Sequence, residues 1–187
     1  MRSTSHSGER GSSLLIVILV MAFMLAVGVA LLTITGIAPK ISGSVRNQEE
    51  AFNAAEAGFE AARLAIERGL LDGTWANLQD NCLRTPAGID IPIDPIYFRR
   101  LTDLALTQSL TMGTTGVLYK HTPFLKTRSG NDDMTRTFTV FLIDDEAGAL
   151  VPDPNDVLLV CIGGVRSGNR VRSTSMIGVL LGRGNAG

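Results

Sequence analysis

The sequence predicts an α+β protein: one long N-terminal helix, membrane-spanning in its first half and amphipathic in its second, packed on a C-terminal antiparallel sheet. Three observations carry this. From Ser12 to Pro39 there is no ionisable side chain. Beyond Lys40 an apolar stripe recurs at helical spacing to about Ile66. From about Gly116 onward, β-branched and apolar runs alternate with turn residues, and consecutive strands after a helix favour segregated α+β layers.

The apolar run Leu14 to Ile37 is about 24 residues long, enough to cross a hydrocarbon core of ~30 Å as a helix. A single segment in lipid can pair all its backbone N–H and C=O groups only as a helix. A cleaved secretory signal has an apolar stretch of only ~7–15 residues. Ahead of the run, residues 1–11 form a short polar leader with Arg2 and Arg10 against Glu9, and positive charge there keeps that end cytoplasmic. The span is expected over 12–39. Gly28, Thr33, Thr35 and Gly36 are positions where helices approach closely or bond across an interface. Pro39 lacks an N–H and predicts a kink or local unwinding at the membrane exit.

The amphipathic half is expected over 40–70. Ile41, Val45, Phe52, Ala55, Phe59, Ala62 and Ile66 make its apolar stripe. Of these, Phe52, Ala55, Phe59, Ala62 and Ile66 are the residues expected to pack the helix onto its own sheet. Gly69 reads as the stop and Asp72-Gly73 as the following turn.

Residues 71–187 remain for one modest globular domain. From Leu70 to Arg100 the signals are loop-like, and the prolines demote Ile89 to Asp94 to an edge strand or extended loop. Tyr97 to Leu110 reads as a short helix. Strands are expected at Gly116–Lys120, Arg136–Ile143, Val157–Ile162 and Val171–Leu181. Gly163 to Gly168 reads as a glycine-rich hairpin turn.

At this point the sequence resembles a family. Arg10-Gly11-Ser12-Ser13-Leu14-Leu15-Ile16-Val17 is similar to the class III signal of type IV pilins. The run from Asn47 to Glu60 resembles the segment that follows it in PilX-like minor pilins. Together they cover about the first third of the chain. The resemblance implies a pilin-like fold and cleavage by a prepilin peptidase between Gly11 and Ser12. It also implies assembly with other pilins through the N-terminal helix, from an inner-membrane precursor whose globular domain is periplasmic. Typical major pilins carry a glutamate five residues into the mature chain, where this sequence has Ile16. That departure points to the minor, PilX or pseudopilin K-like branch.

Lys and Arg number 17 against 18 Asp and Glu, a net charge of −1. No basic cluster dense enough to track phosphates is present, so nucleic acid is not an expected partner. Catalysis and cofactors are not expected either, because no HExxH, GxSxG, Walker lysine or dinucleotide fingerprint occurs. The histidines are His6, in the leader, and His121, in an expected loop. A Cys161–His121 pair is a poor nucleophile and base, since an apolar strand holds the thiol protonated. Cys82 and Cys161 are candidates for a disulfide in an oxidising compartment, with two buried free thiols as the alternative. No cysteine or histidine spacing suits zinc. Asp144, Asp145, Glu146, Asp153 and Asp156 bracket two turns and form a weak calcium candidate; aspartates that cap their own turns are the simpler account.

Two functions of different kinds fit the sequence. One is a minor pilin, low in copy number and acting in initiation or at the tip of a fibre, with tip adhesion as a candidate role. The other is an uncleaved, single-pass anchored periplasmic binding or scaffold protein.

Overall fold

The computed structural model describes residues 9–144, 146 and 156–182, with side-chain surroundings given for all of these except 9–12 and 33–41. The chain divides into two units, Met1–Ser44 and Val45–Gly187. Helix α1 (Glu9–Leu71) contributes to both. Its backbone is helical straight through Pro39, so the expected unwinding there does not occur; proline removes one N–H and hence one rung of the ladder. In the first unit Ser13–Leu32 is long and apolar enough to cross a membrane.

The second unit has three layers. Its middle is a four-stranded antiparallel sheet of β1 (Val117–Pro123), β2 (Arg136–Ile143), β3 (Asp156–Ser167) and β4 (Arg170–Gly182), in the order β1-β2-β3-β4. On one face lies the second half of α1. The other face is covered by the excursion between α1 and β1, which contains helix α2 (Asp103–Ser109).

Strand alternation explains both interfaces. In β2, Phe138, Val140 and Leu142 join the cluster under α1, while Phe141 and Ile143 join the opposite one. In β3, Val157, Leu159 and Cys161 face α1, and Leu158, Val160 and Ile162 face away. A strand covered on both sides has no reason to alternate polar and apolar residues. This is why VFLI and VLLVCI read as continuous apolar runs.

The excursion is built from turns. Ile89 to Asp94 forms no strand: Ile91 N–H donates to the Gly88 carbonyl at 3.2 Å and Asp94 N–H to the Ile91 carbonyl at 3.0 Å. The helix expected over Tyr97–Leu110 is split into a 3-10 turn (Phe98–Arg100) and α2. Between them Thr102 has extended backbone, and its hydroxyl accepts from Ala105 N–H at 3.3 Å as the cap of α2. Phe98, Leu106 and Leu110 anchor this layer in the core.

Two glycine expectations are corrected. Gly69 does not stop α1; it lies inside the helix, and an added Cβ would meet the Trp75 ring at 3.0 Å. The helix ends two residues later, with Gly73 at φ +70° supplying the left-handed turn. Gly163 and Gly164 are not a turn either. β3 runs on through them to Ser167, paired with β4 as Gly163↔Ser175 and Gly164↔Thr174. The turn is at Gly168, where φ is +59°.

Candidate functional site

The face of α1 that meets the sheet is a seam of small residues. Ala51, Ala54, Ala55, Gly58 and Ala62 are buried, followed by Ile66 and Gly69. Their spacing by threes and fours keeps them on one side of the helix. A Cβ on Gly163 would lie 1.9 Å from the Ala51 carbonyl oxygen and 2.5 Å from the Ala55 nitrogen. Helix backbone therefore rests on strand backbone, and glycine is the residue this approach requires. Seven residues along α1, a Cβ on Gly58 would meet Phe138 and Val140 side chains at 3.0 Å.

Of the expected packing residues, Ala55, Ala62 and Ile66 lie in the core under α1, and Phe59 is partly buried against it. Phe52 lies elsewhere. It is 44% exposed, because an approach set by alanine and glycine leaves no room for a phenyl ring beneath the helix and turns Phe52 to its side.

An ionic clasp closes the same end of the interface. Arg136, at the start of β2, donates from Nε to Glu50 Oε2 at 2.9 Å and from Nη1 to Asp133 Oδ2 at 2.9 Å. The other Glu50 oxygen receives Arg46 Nε at 3.0 Å. The hydrogen bond from Arg136 holds the Glu50 carboxyl below its usual range, aided by Arg46 and opposed by burial. Asp133 is lowered chiefly by the Thr135 hydroxyl and the Thr135 N–H. The clasp was not anticipated, since Glu50 and Arg136 stand 86 residues apart.

Beside the helix lies a groove of about 380 Å³ between α1 and strands β3 and β4. Phe59, Ile66 and Leu70 form its helical wall and Leu159 and Leu181 its sheet wall, with Arg63 and Glu67 also lining it.

The remaining candidates do not converge on chemistry. Cys82 and Cys161 are free thiols, both buried in the core under α1, and burial pushes each up to about 12. His121 sits in β1 rather than a loop, at φ +49°, with its N–H donated to Thr139 Oγ1 at 3.1 Å. It lines a cavity of about 30 Å³ with Thr139, Ile162 and Arg166, on the sheet face opposite Cys161. The sheet thus separates the thiol from the imidazole. Burial first, then Arg166 and Lys120, holds the imidazole pKa below its ordinary value. Asp144 accepts the Glu146 N–H at 3.1 Å, as a turn-capping aspartate does. Asp145 and Asp153 lie outside the described residues, and among the described residues no group of three or more His, Cys, Asp or Glu side chains could hold a metal ion.

A long apolar N-terminal helix running into a four-stranded antiparallel sheet defines an α+β, pilin-like architecture. Residues 10–60 match the model of the PilX N-terminal family. Over these residues the chain is similar to PilX-like type IV pilins, and the match supports a minor pilin, a structural subunit rather than an enzyme. Comparison with curated proteins finds no match, and neither does comparison with solved structures.

Proposed function

We propose that this chain is a low-copy minor pilin acting at the tip or in the initiation of a type IV pilus fibre. In this reading 1–11 is a leader removed by a prepilin peptidase between Gly11 and Ser12. Residues 12–39 anchor the precursor once in the inner membrane, with a cytoplasmic N-terminus, and later hold it among other pilins. Residues 40–70 carry the helix into a periplasmic domain over 71–187, which becomes surface-exposed in the fibre.

The observation that carries the tip assignment is Ile16. Cleavage would leave a charged amine at Ser12. In an apolar bundle that charge is costly unless a carboxylate lies beside it. The glutamate of typical pilins resembles such a partner for a neighbour's amine. No residue from Ser12 to Pro39 offers a carboxylate here. A subunit unable to neutralise a neighbour suits one end of a fibre better than its repeating body. The narrower affinity to the pseudopilin K-like branch rests on the same position.

The test has two parts. The mass of the chain made with and without a prepilin peptidase should differ by the leader, and Gly11→Val should abolish the difference. An unshortened wild-type chain would favour an anchored periplasmic scaffold protein. Quantitative mass spectrometry of sheared filaments should find the chain rare and immunolabel should mark one end. A ratio to the major pilin near one, or label spread along the fibre, overturns the tip assignment.

A further inference from the structure

Both hairpins of the sheet turn at the end of the second unit where the chain enters it. β2 begins and β3 ends there, since Arg136 pairs with Val165. The clasp from Arg136 to Glu50 sets the same end beside the first residues of α1 in this unit. At the opposite end Leu70 of α1 lies beside Leu181 of β4. Val45 stands five residues past Lys40, the first charge after the uncharged run. A chain of that length reaches at most about 18 Å, so connectivity alone ties the hairpin end close to the exit of the expected span.

That end is basic and also presents apolar side chains. The β3–β4 turn brings Arg166, Arg170 and Arg172, and the β1–β2 hairpin brings Lys126 and Arg128. Lys126, Arg128, Arg170 and Arg172 are exposed, and none of them forms an ion pair among the described residues. Two of the local carboxylates are already engaged, Glu50 by Arg136 and Arg46, and Asp133 by Arg136. Asp132 lies across an antiparallel bridge from Lys126, and Glu49 is exposed. With Arg46 and Arg136 counted, seven cations stand against these four carboxylates, in a chain whose net charge is −1. Beside them Leu125 is 43% and Met134 56% exposed. Asp133 N–H donates to the Leu125 carbonyl at 2.9 Å, so these two apolar residues lie on facing arms of one hairpin.

Exposed cations interleaved with apolar side chains suit the headgroup region of an anionic bilayer. Each Lys or Arg there is drawn by the lipid charge, and the apolar groups enter the boundary with the acyl chains. We infer that the hairpin end of this domain rests on anionic phospholipid of the membrane that holds its anchor. Arg128, Arg170 and Arg172 meet headgroup phosphates, and Leu125 and Met134 sink between them. The short tether keeps that surface within reach at all times, which no soluble partner matches. The inference rests on the reading that 12–39 anchor the precursor in a membrane. It adds that the domain is held against the lipid before it is drawn into a fibre.

The test uses the full chain reconstituted in phosphatidylcholine vesicles with or without phosphatidylglycerol. Bimane is attached at Ser129→Cys in the β1–β2 turn; Cys82 and Cys161 are buried and do not compete for the label. A lipid spin-labelled at its headgroup should quench this bimane at least about fivefold more when phosphatidylglycerol is present, and the difference should shrink as salt is raised. Bimane at Ala76→Cys, beyond the other end of α1, should be quenched weakly and equally in both. Arg128→Gln, Arg170→Gln and Arg172→Gln together should bring the signal at 129 down to the zwitterionic level with the melting temperature unchanged, and Met134→Ser should lower it by about half. In cells, a photo-crosslinking residue at position 129 should capture phospholipid. Equal quenching at 129 in the two lipids, a difference that survives the triple substitution, no effect of Met134→Ser, or capture of protein alone overturns the inference. A chain that resists carbonate extraction but shows equal quenching refutes only this inference. A chain that carbonate strips from the vesicles, yet is quenched at 129 only with phosphatidylglycerol, refutes only the anchor reading.

Discussion

Gly163→Ala isolates the contact on which the helix–sheet interface turns. The added methyl would lie 1.9 Å from the Ala51 carbonyl oxygen and 2.5 Å from the Ala55 nitrogen, both backbone atoms of α1. Neither can rotate away as a side chain would, so α1 must lift from β3 by more than about 1 Å to restore van der Waals contact. Lifting it also loosens the fit of Gly58 against Phe138 and Val140. Overpacking of this kind costs about 1–3 kcal/mol, and the rigid obstacle places Gly163→Ala at the upper end. At roughly 3–4 °C per kcal/mol for a unit of this size, the melting temperature should fall by about 10 °C. Gly164→Ala is the internal control. Its Cβ meets nothing nearer than the Thr137 carbonyl oxygen at 4.0 Å, so it should be neutral or stabilise by up to about 1 kcal/mol through the unfolded chain. Thermal melts of both variants in detergent, followed by circular dichroism, decide the matter. A Gly163→Ala melt within a degree of wild type, or equal effects of the two substitutions, would refute the backbone contact.

Phe59→Ala should cost about 2 kcal/mol, roughly half the value for a fully buried phenylalanine, whereas Phe52→Ala should stay within about 0.5 kcal/mol; equal losses in denaturant titration would contradict the assignment of the two rings. Glu50→Gln should cost about 1–2 kcal/mol by breaking the Arg136 clasp. Because the folded carboxyl of Glu50 titrates below its ordinary value of 4.5, its contribution is complete above that pH and is lost as pH falls through the lower folded value. The variant should therefore lose less stability than wild type on acidification below pH 4.5, and parallel acid limbs would argue against the clasp. His121→Asn keeps a residue tolerant of φ +49°. The folded imidazole titrates below 6.5, so the unfolded chain takes up a proton first and wild-type stability declines as pH falls below 6.5. The variant should show a smaller difference between pH 7.5 and 5.5, and an unchanged difference would remove His121 as the cause.

What the sequence determined by itself is the part governed by local rules. An uncharged run the length of a bilayer, a helical stripe after it and apolar strand runs punctuated by turn residues suffice for an α+β chain with one long helix. β2 was legible to the residue, because Arg136 to Ile143 is an unbroken run of β-branched, aromatic and aliphatic residues after its arginine, and both faces are buried from Thr137 onward. The tertiary structure decided what depends on distance between remote segments. Phe52 and Phe59 look equivalent by hydropathy, yet the side of α1 that meets the sheet is chosen by how closely two backbones can approach, and alanine and glycine allow the closest contact. Spacing does record that seam: the expected stripe took in Ala55 and Ala62 but passed over Ala51, Ala54 and Gly58. Gly163-Gly164 shows the same limit from the other side. A glycine pair after a strand signals a turn only while nothing is known to lie above it, and here a helix backbone does. Glu50 and Arg136 meet for that reason as well: once Gly163 lets α1 settle onto β3, the two charges are carried into contact, and no pattern along the chain encodes their pairing.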